Sequence, residues 1–368
     1  MMRSPLHERH EARGAKFAAF GGWEMPLEYA GGGVLKEHLA VRSGVGVFDV
    51  SHLGKATVAG PAAAAYVDAA LSNALAKIGP GHAQYTLCCD DASGGIVDDL
   101  IAYFVGPDEM FLVPNAANCA EVVARLAAQA PAGVEVVDRH ESYAILAVQG
   151  PRSDDLLESI GLPAGHAYMS FVQSSWKGSP VTVCRTGYTG ERGYELVVPV
   201  DAAVGLWDAL LSPTSSYDAV PCGLGARDTL RTEMGYPLHG QDISLDVTPV
   251  QARLGWAVGW KKPAFWGRSV LVAEREAGPS RRLLGLLSTG RGIPRPGMAV
   301  VGTDGEPLGT VTSGTFSPTL RVGVGLALLA GGTGEGSQVA VDIRGRQQTF
   351  EVKRPPFVSA SPTADKSS

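Results

Sequence analysis

Cysteine is scarce and unpatterned in this chain. The 368 residues hold five (Cys88, Cys89, Cys119, Cys184 and Cys222), with no CxxC and no zinc-type spacing. An odd count, mostly inside apolar runs, fits reduced buried thiols and excludes a disulfide framework. No apolar run reaches the roughly 18 residues that a membrane helix needs. The opening residues (MMRSPLHE) have no apolar core of a secretory signal. The formal charge of −6 offers no general basic surface for phosphate, so a nucleic-acid partner is not expected. GxSxG, HExxH and GxxxxGK[ST] are all missing, which leaves a hydrolase, a metallopeptidase or a P-loop NTPase without support. The expectation is a soluble cytoplasmic protein with no metal centre, no nucleic acid and no membrane partner.

Apolar residues are plentiful at 45%, against 18% charged, so there is material for a large interior. The length implies two or three domains, and 47 glycines and 24 prolines imply many turns. Apolar spacing predicts helices over 61–78, 116–130, 151–160, 202–211 and 224–234, several opened by proline or closed by glycine. Strands are predicted over 55–58, 84–89, 96–105, 110–113, 134–137, 143–148, 181–185 and 194–198. Mixed in this way, they describe an α+β body. Beyond about residue 280 only short strands and hairpin turns follow, at Thr303–Glu306 and Arg344–Arg346, giving an all-β C-terminal domain. A polar tail over 359–368 is expected to be disordered.

The segment Arg185-Thr186-Gly187-Tyr188-Thr189-Gly190-Glu191-Arg192-Gly193-Tyr194-Glu195 places glycine at every third position among two tyrosines and two glutamates. Glycine lets the chain turn sharply and lets a flat ligand approach closely. Tyrosine rings and planar carboxylates could hold a heterocycle with adjacent N–H donors. A glycine-rich hairpin between two strands is the equal alternative.

Asp98 and Asp99 lie among Ile96, Val97, Leu100 and Ile101, so one carboxylate faces inward unless a bulge intervenes. Burial there would shift its pKa and suit it to a proton or a developing cation. A strand-end pair capping a turn is the plainer possibility. Arg227 and Arg231, four apart on a helix, could grip one carboxylate, or could pair with Asp228, Glu233 or another acid. The run Asp49-Val50-Ser51-His52 cannot form a relay between neighbours, and His52 reads as a hydrogen-bonded core histidine.

Seven blocks resemble the aminomethyltransferase (glycine cleavage T-protein) family, in family order. They begin with Gly21–Pro26, Phe48–His52, Gly94–Ile101 and Ala147–Pro151. They continue with Gly187–Glu191, Gly223–Arg231 and Thr312–Leu320. The resemblance implies an α+β, three-domain cloverleaf around a central folate-binding opening, with an all-β C-terminal domain. It implies a discontinuous folate-binding domain over 1–52 plus 140–275, a domain over 53–139 carrying the catalytic aspartate, and a barrel-like domain over 280–358.

The implied reaction transfers the one-carbon unit of an aminomethyl group, carried on the lipoyl arm of H-protein, to tetrahydrofolate as acceptor substrate. Its products are 5,10-methylene-tetrahydrofolate, ammonia and the dihydrolipoyl arm. By the same resemblance Asp99 is catalytic. Asn115 lines the pocket near the reacting carbon, Tyr188 belongs to the pterin pocket and Glu195 reads the pterin edge. Arg227 grips the anionic glutamyl tail, Trp256 supplies an aromatic wall, and Arg291 is placed to meet the partner protein.

Two positions depart from the family pattern: Leu53 where methionine is frequent, and His239 where tyrosine is common. A folate-dependent demethylase of a small methylated amine or sulfonium compound shares the pocket residues. A non-catalytic folate-binding iron–sulfur maintenance factor would carry a cysteine beside the tyrosine, and Tyr188 has none.

Overall fold

The computed structural model describes residues 1–212 and 217–363. The expected tail therefore lies, from residue 364 onward, outside the described residues. Three sheets and a barrel organise the chain. A six-stranded sheet runs in the order Phe171–Trp176, Ser179–Cys184, Gly193–Pro199, Tyr143–Gln149, Gly46–Asp49 and Val220–Cys222. A five-stranded sheet runs in the order His82–Cys89, Ile96–Gly106, Glu109–Val113, Ala56–Ala59 and Glu135–Asp138. Near the N-terminus, Met2–Arg3, Trp23–Tyr29 and Ala15–Phe20 form a small third sheet.

The expected α+β body followed by an all-β domain is what the structure has. The strands Arg281–Ser288, Gly323–Ala330, Pro307–Phe316, Ala299–Gly302, Gln338–Ile343 and Arg346–Lys353 close into a barrel. Both expected hairpins are present, between 302 and 307 and between 343 and 346. Alternating residues of each barrel strand fill one interior, including Leu286, Val300, Val311, Leu329, Val341 and Phe350.

The helix expected over 61–78 is shorter. It covers Ala63–Ala70, and a 3₁₀ turn follows at Leu75–Lys77. The break falls at Ser72-Asn73, whose polar groups bond elsewhere: Ser72 N–H to Leu87 O at 2.9 Å, and Asn73 Nδ2 to Tyr85 O at 2.8 Å. Lys262 then donates to the carbonyls of Leu71 (2.6 Å) and Asn73 (3.0 Å), which a continued helix would have used itself.

The other expected helices hold within one to three residues at each end, as Cys119–Ala128, Ser153–Ser159, Val200–Leu210 and Leu224–Met234. Three more helices, His7–Ala12, Gly33–Ser43 and Arg268–Ala277, were not expected; the first two lack a clear apolar stripe, and the third has one that was not recognised in the sequence. They bury few apolar side chains, and the first two bury His7, His10, Glu37 and His38 instead. Among the described residues no helix is long and apolar enough to cross a membrane.

Candidate active site

The Ile96–Gly106 strand carries Asp98 and Asp99 beside a register shift against His82–Cys89, where Cys88 faces Asp98 but Cys89 faces Ile96. This bulge at Val97 relaxes strict alternation, and both carboxylates reach the same asparagine. Asn115 donates its backbone N–H to Asp98 (2.9 Å). Its side-chain nitrogen lies 2.9 Å from an Asp98 oxygen and 2.8 Å from an Asp99 oxygen. Asn118 adds a bond to Asp98 at 2.7 Å, and Tyr85 donates its hydroxyl to Asp99 at 3.0 Å.

Burial, and after it the charge of Asp99, pushes Asp98 up to about 7. Burial also raises Asp99, against the hydrogen bond from Tyr85 and the nearby His239. Two adjacent carboxylates sharing amide partners, Asp98 fully buried and Asp99 partly so, form a site in which one negative charge is easier to hold than two. The inward carboxylate with a shifted pKa that the sequence suggested is Asp98, and Asp99 is raised beside it.

Tyr85 was not expected at this site, and Asn118 and His239 join it too. Tyr85 stacks on Trp256 with centroids 5.2 Å apart, so the expected aromatic wall reaches Asp99 through an intervening tyrosine. Trp256 itself is 62% exposed, with a face free for a ligand. His239 sits between Asn118 (3.0 Å) and the Ile96 carbonyl (3.0 Å), which fixes its ring beside Asp98. Tyr85 could have been found only with the strand pairing in hand: Leu87 lies opposite Asp99, and Tyr85 shares its face.

The second group of expected residues comes from the loop joining Ser179–Cys184 to Gly193–Pro199, and from the Leu224–Met234 helix. Thr186 donates its hydroxyl to Glu195 at 2.5 Å, and both are buried. Arg227 lies over the Tyr188 ring, 4.7 Å from its centroid, while Tyr188 donates its hydroxyl to the Pro237 carbonyl. Burial lowers the Arg227 pKa, and Glu195 and Tyr188 act against that shift, which places all three within electrostatic reach. Among the described residues Arg227 makes no side-chain hydrogen bond or ion pair. Burial raises the Tyr188 pKa most, with Asp99 adding to the rise through space and Arg231 opposing it.

Arg231 does not join Arg227. Its guanidinium bonds Asp228 (2.7 Å), Asp242 (2.8 Å) and Ser313 (2.8 Å), tying the helix to the barrel. The glycines of the 185–195 segment also serve a different purpose from ligand approach. A Cβ at Gly187 or Gly193 would lie 2.2 or 2.4 Å from the Gln149 amide, and one at Gly190 would lie 2.3 Å from Met234 sulfur. The close approach is made by the protein's own side chains, and the hairpin alternative describes the segment better. Glu191 pairs with Arg42 at 2.9 Å. His52 is buried, and burial depresses it to about 3, but its Nδ1 has no partner and only its carbonyl accepts a bond, from His140 at 2.9 Å. The hydrogen-bonded ring expected there is therefore not what is found.

Fold and site together define an α+β enzyme body with a C-terminal barrel and a pair of adjacent carboxylates, one of them fully buried. The family model described as GCVT N-terminal domain matches residues 6–262, and that described as glycine cleavage T-protein C-terminal barrel domain matches 281–359. An aminomethyltransferase of Parafrankia sp. (strain EAN1pec) is 67% identical, over 98% of this chain and 99% of its own. One of Mycobacterium tuberculosis (strain ATCC 25618 / H37Rv) is 58% identical, over 98% of this chain and 97% of its own. The crystal structure of glycine cleavage system aminomethyltransferase T from Bartonella henselae superposes with a TM-score of 0.91 at 35% identity, covering 98% of each chain. The chain belongs to the glycine cleavage T-protein family of aminomethyltransferases.

Proposed function

We propose that this chain transfers the one-carbon unit of an aminomethyl group, carried on lipoylated H-protein, to tetrahydrofolate. The observation that carries the proposal is Asp99, held by Tyr85 and Asn115 within electrostatic reach of Tyr188, whose ring lies under an Arg227 cation with no hydrogen-bond or ion-pair partner among the described residues. Each group then has a task. Arg227 takes a carboxylate of the folate tail, Glu195 accepts from the N–H groups at the pterin edge, and Tyr188 and Trp256 offer ring faces. Asn115 fixes Asp99 beside the reacting carbon.

As the bond from carbon to sulfur breaks, positive charge develops on the CH₂–N unit, and the Asp99 carboxylate stabilises it from a fixed position. The folate nitrogens bond to that carbon in two steps. The protons they lose end on ammonia and on the released thiol, so the reaction needs no redox partner. Preorganisation matters because the carboxylate is oriented by the protein before charge appears.

A coupled assay with purified protein, tetrahydrofolate and aminomethyl-loaded H-protein tests the proposal. Stoichiometric methylene-tetrahydrofolate and ammonia, abolished in Asp99→Asn, is the expected result. Folate binding without turnover of this donor would reject H-protein and point to a small methylated amine or sulfonium compound.

A further inference from the structure

A cavity of about 510 Å³ lies away from the carboxylate pair, lined by Arg185, His166, Arg192, Asp154 and Glu158 among others. Its volume is that of a small-molecule site. Arg185 is the group that sets it apart. The residue is 2% exposed, its Nε has no hydrogen-bond partner, and a 3.5 Å approach from one terminal nitrogen to the Gly193 carbonyl is the sole hydrogen bond of its side chain among the described residues. No carboxylate pairs with it among the described residues. A buried guanidinium with most of its five donors unused is costly, and such groups call for an unseen anion or solvent.

The neighbouring charges sharpen the contrast. Arg192 is bound by Asp154 through two bonds of 2.6 and 2.7 Å, and Tyr194 donates to the same carboxylate at 2.8 Å. Asp154 is thus hydrogen-bonded to Arg192 and Tyr194, whereas Arg185 lies over the Tyr194 ring at 5.4 Å and feels Asp154 only through space, without a hydrogen bond to it. Burial and the Arg185 charge lower the His166 pKa, and both of its ring nitrogens are buried without a hydrogen-bond partner among the described residues.

The strand Gly193–Pro199 separates this cavity from the folate residues. Tyr194 packs with Leu196 and Val198 on one face of the sheet, while Val197 packs into a different core, on the side to which alternation directs Glu195. We propose that this cavity binds a small oxyanion, a carboxylate or a phosphate, through Arg185 and His166, independently of the folate site.

Calorimetric titration with inorganic phosphate and with acetate, at constant chloride, distinguishes the two sources. One equivalent of saturable binding is expected for one of them, weakened at least tenfold in Arg185→Gln and unchanged by saturating tetrahydrofolate. Crystals soaked in selenate should place the anion on the Arg185 guanidinium. Should Arg185→Gln fail to fold, His166→Leu tests the same site through its N–H donor, and the selenate position in the unaltered protein decides independently. No saturable binding, an anion elsewhere, or displacement by tetrahydrofolate would overturn the assignment.

Discussion

Replacing Asp99 by asparagine preserves the outline of the side chain and removes its charge. The native carboxylate accepts from Tyr85 at 3.0 Å and from Asn115 at 2.8 Å. An asparagine oxygen can keep the bond from Asn115 while its NH₂ donates to the Tyr85 hydroxyl, so the contacts can survive and the charge is what is lost. Losing one preorganised contact to a developing charge costs about 2.7–4 kcal/mol, or about 10²–10³-fold in kcat. The KM for tetrahydrofolate should change little, because the interaction strengthens only as charge develops. Stability should move the other way. Burial raises the Asp99 carboxyl, so its ionised form is disfavoured by the fold, and the neutral variant should melt at the same temperature or higher at neutral pH. Single-turnover assays beside thermal unfolding separate these quantities. Full turnover in the variant would refute the role of the charge. A loss of activity that merely follows a loss of folded protein would refute the reasoning about stability.

Arg227→Ala should raise the KM for tetrahydrofolate at least tenfold with kcat largely kept, since a grip on the folate tail is equal in ground and transition states; steady-state kinetics will show which parameter moves. Asp98 is held at about 7 by burial and by Asp99. Its contribution to stability is complete below about pH 4, where folded and unfolded chains are both protonated, and is lost as pH rises through about 7. Denaturant unfolding at pH 5 and pH 8 should show Asp98→Asn gaining on the native protein as pH rises. Glu233 accepts from Ser317 (2.5 Å), Thr319 (2.9 Å) and Arg42 (2.8 Å). Glu233→Gln should cost about 1.5–3 kcal/mol at neutral pH, measured by urea titration, because it removes one of the two carboxylates on Arg42 while Glu191 remains. Burial would raise that carboxyl, but His38, Ser317 and Arg42 hold it at about 2, so its contribution fades as pH falls from about 4.5 towards 2. Gly187→Ala, with its new Cβ 2.2 Å from the Gln149 amide, should cost about 1–3 kcal/mol, and adding Gln149→Ala should cost less than the sum of the single changes.

The sequence patterns told most where burial is one-sided and periodic. The strands of the barrel and of the two larger sheets alternate or run apolar, and most were placed within a few residues. They failed where packing is polar. The Gly33–Ser43 helix seats Glu37 and His38, not leucines, against its neighbours, so no apolar period exists to read. The Trp23–Tyr29 strand contains Pro26, which weakens any strand reading although the strand tolerates it beside a register shift. At the site, the aspartates were legible because two acids among Ile96, Val97, Leu100 and Ile101 are improbable without a purpose. Tyr85 was not, because a tyrosine in an apolar strand is ordinary until its partner strand is known.

The family blocks acquire physical meaning when their contacts are traced, and much of that meaning is docking. The Leu224–Met234 helix sends Arg227 towards Tyr188, Arg231 to Asp242 and Ser313, and Glu233 to Ser317 and Thr319. One helix thus touches the proposed folate pocket on one side and the barrel on another. The Thr312–Leu320 block, which looked like a mere signature, supplies the barrel's half of this joint: Thr312 donates to Asp242 at 2.6 Å, and Thr319 bonds His38 at 3.1 Å. Asp228 and Asp242 already pair Arg231, and Arg42 already pairs Glu233, while Ser313, Ser317 and Thr319 complete their hydrogen bonding, so seating the barrel helps to hold the helix that carries Arg227. If Arg227 grips the folate tail as proposed, the barrel contributes to that pocket by helping to hold the helix on which the arginine stands.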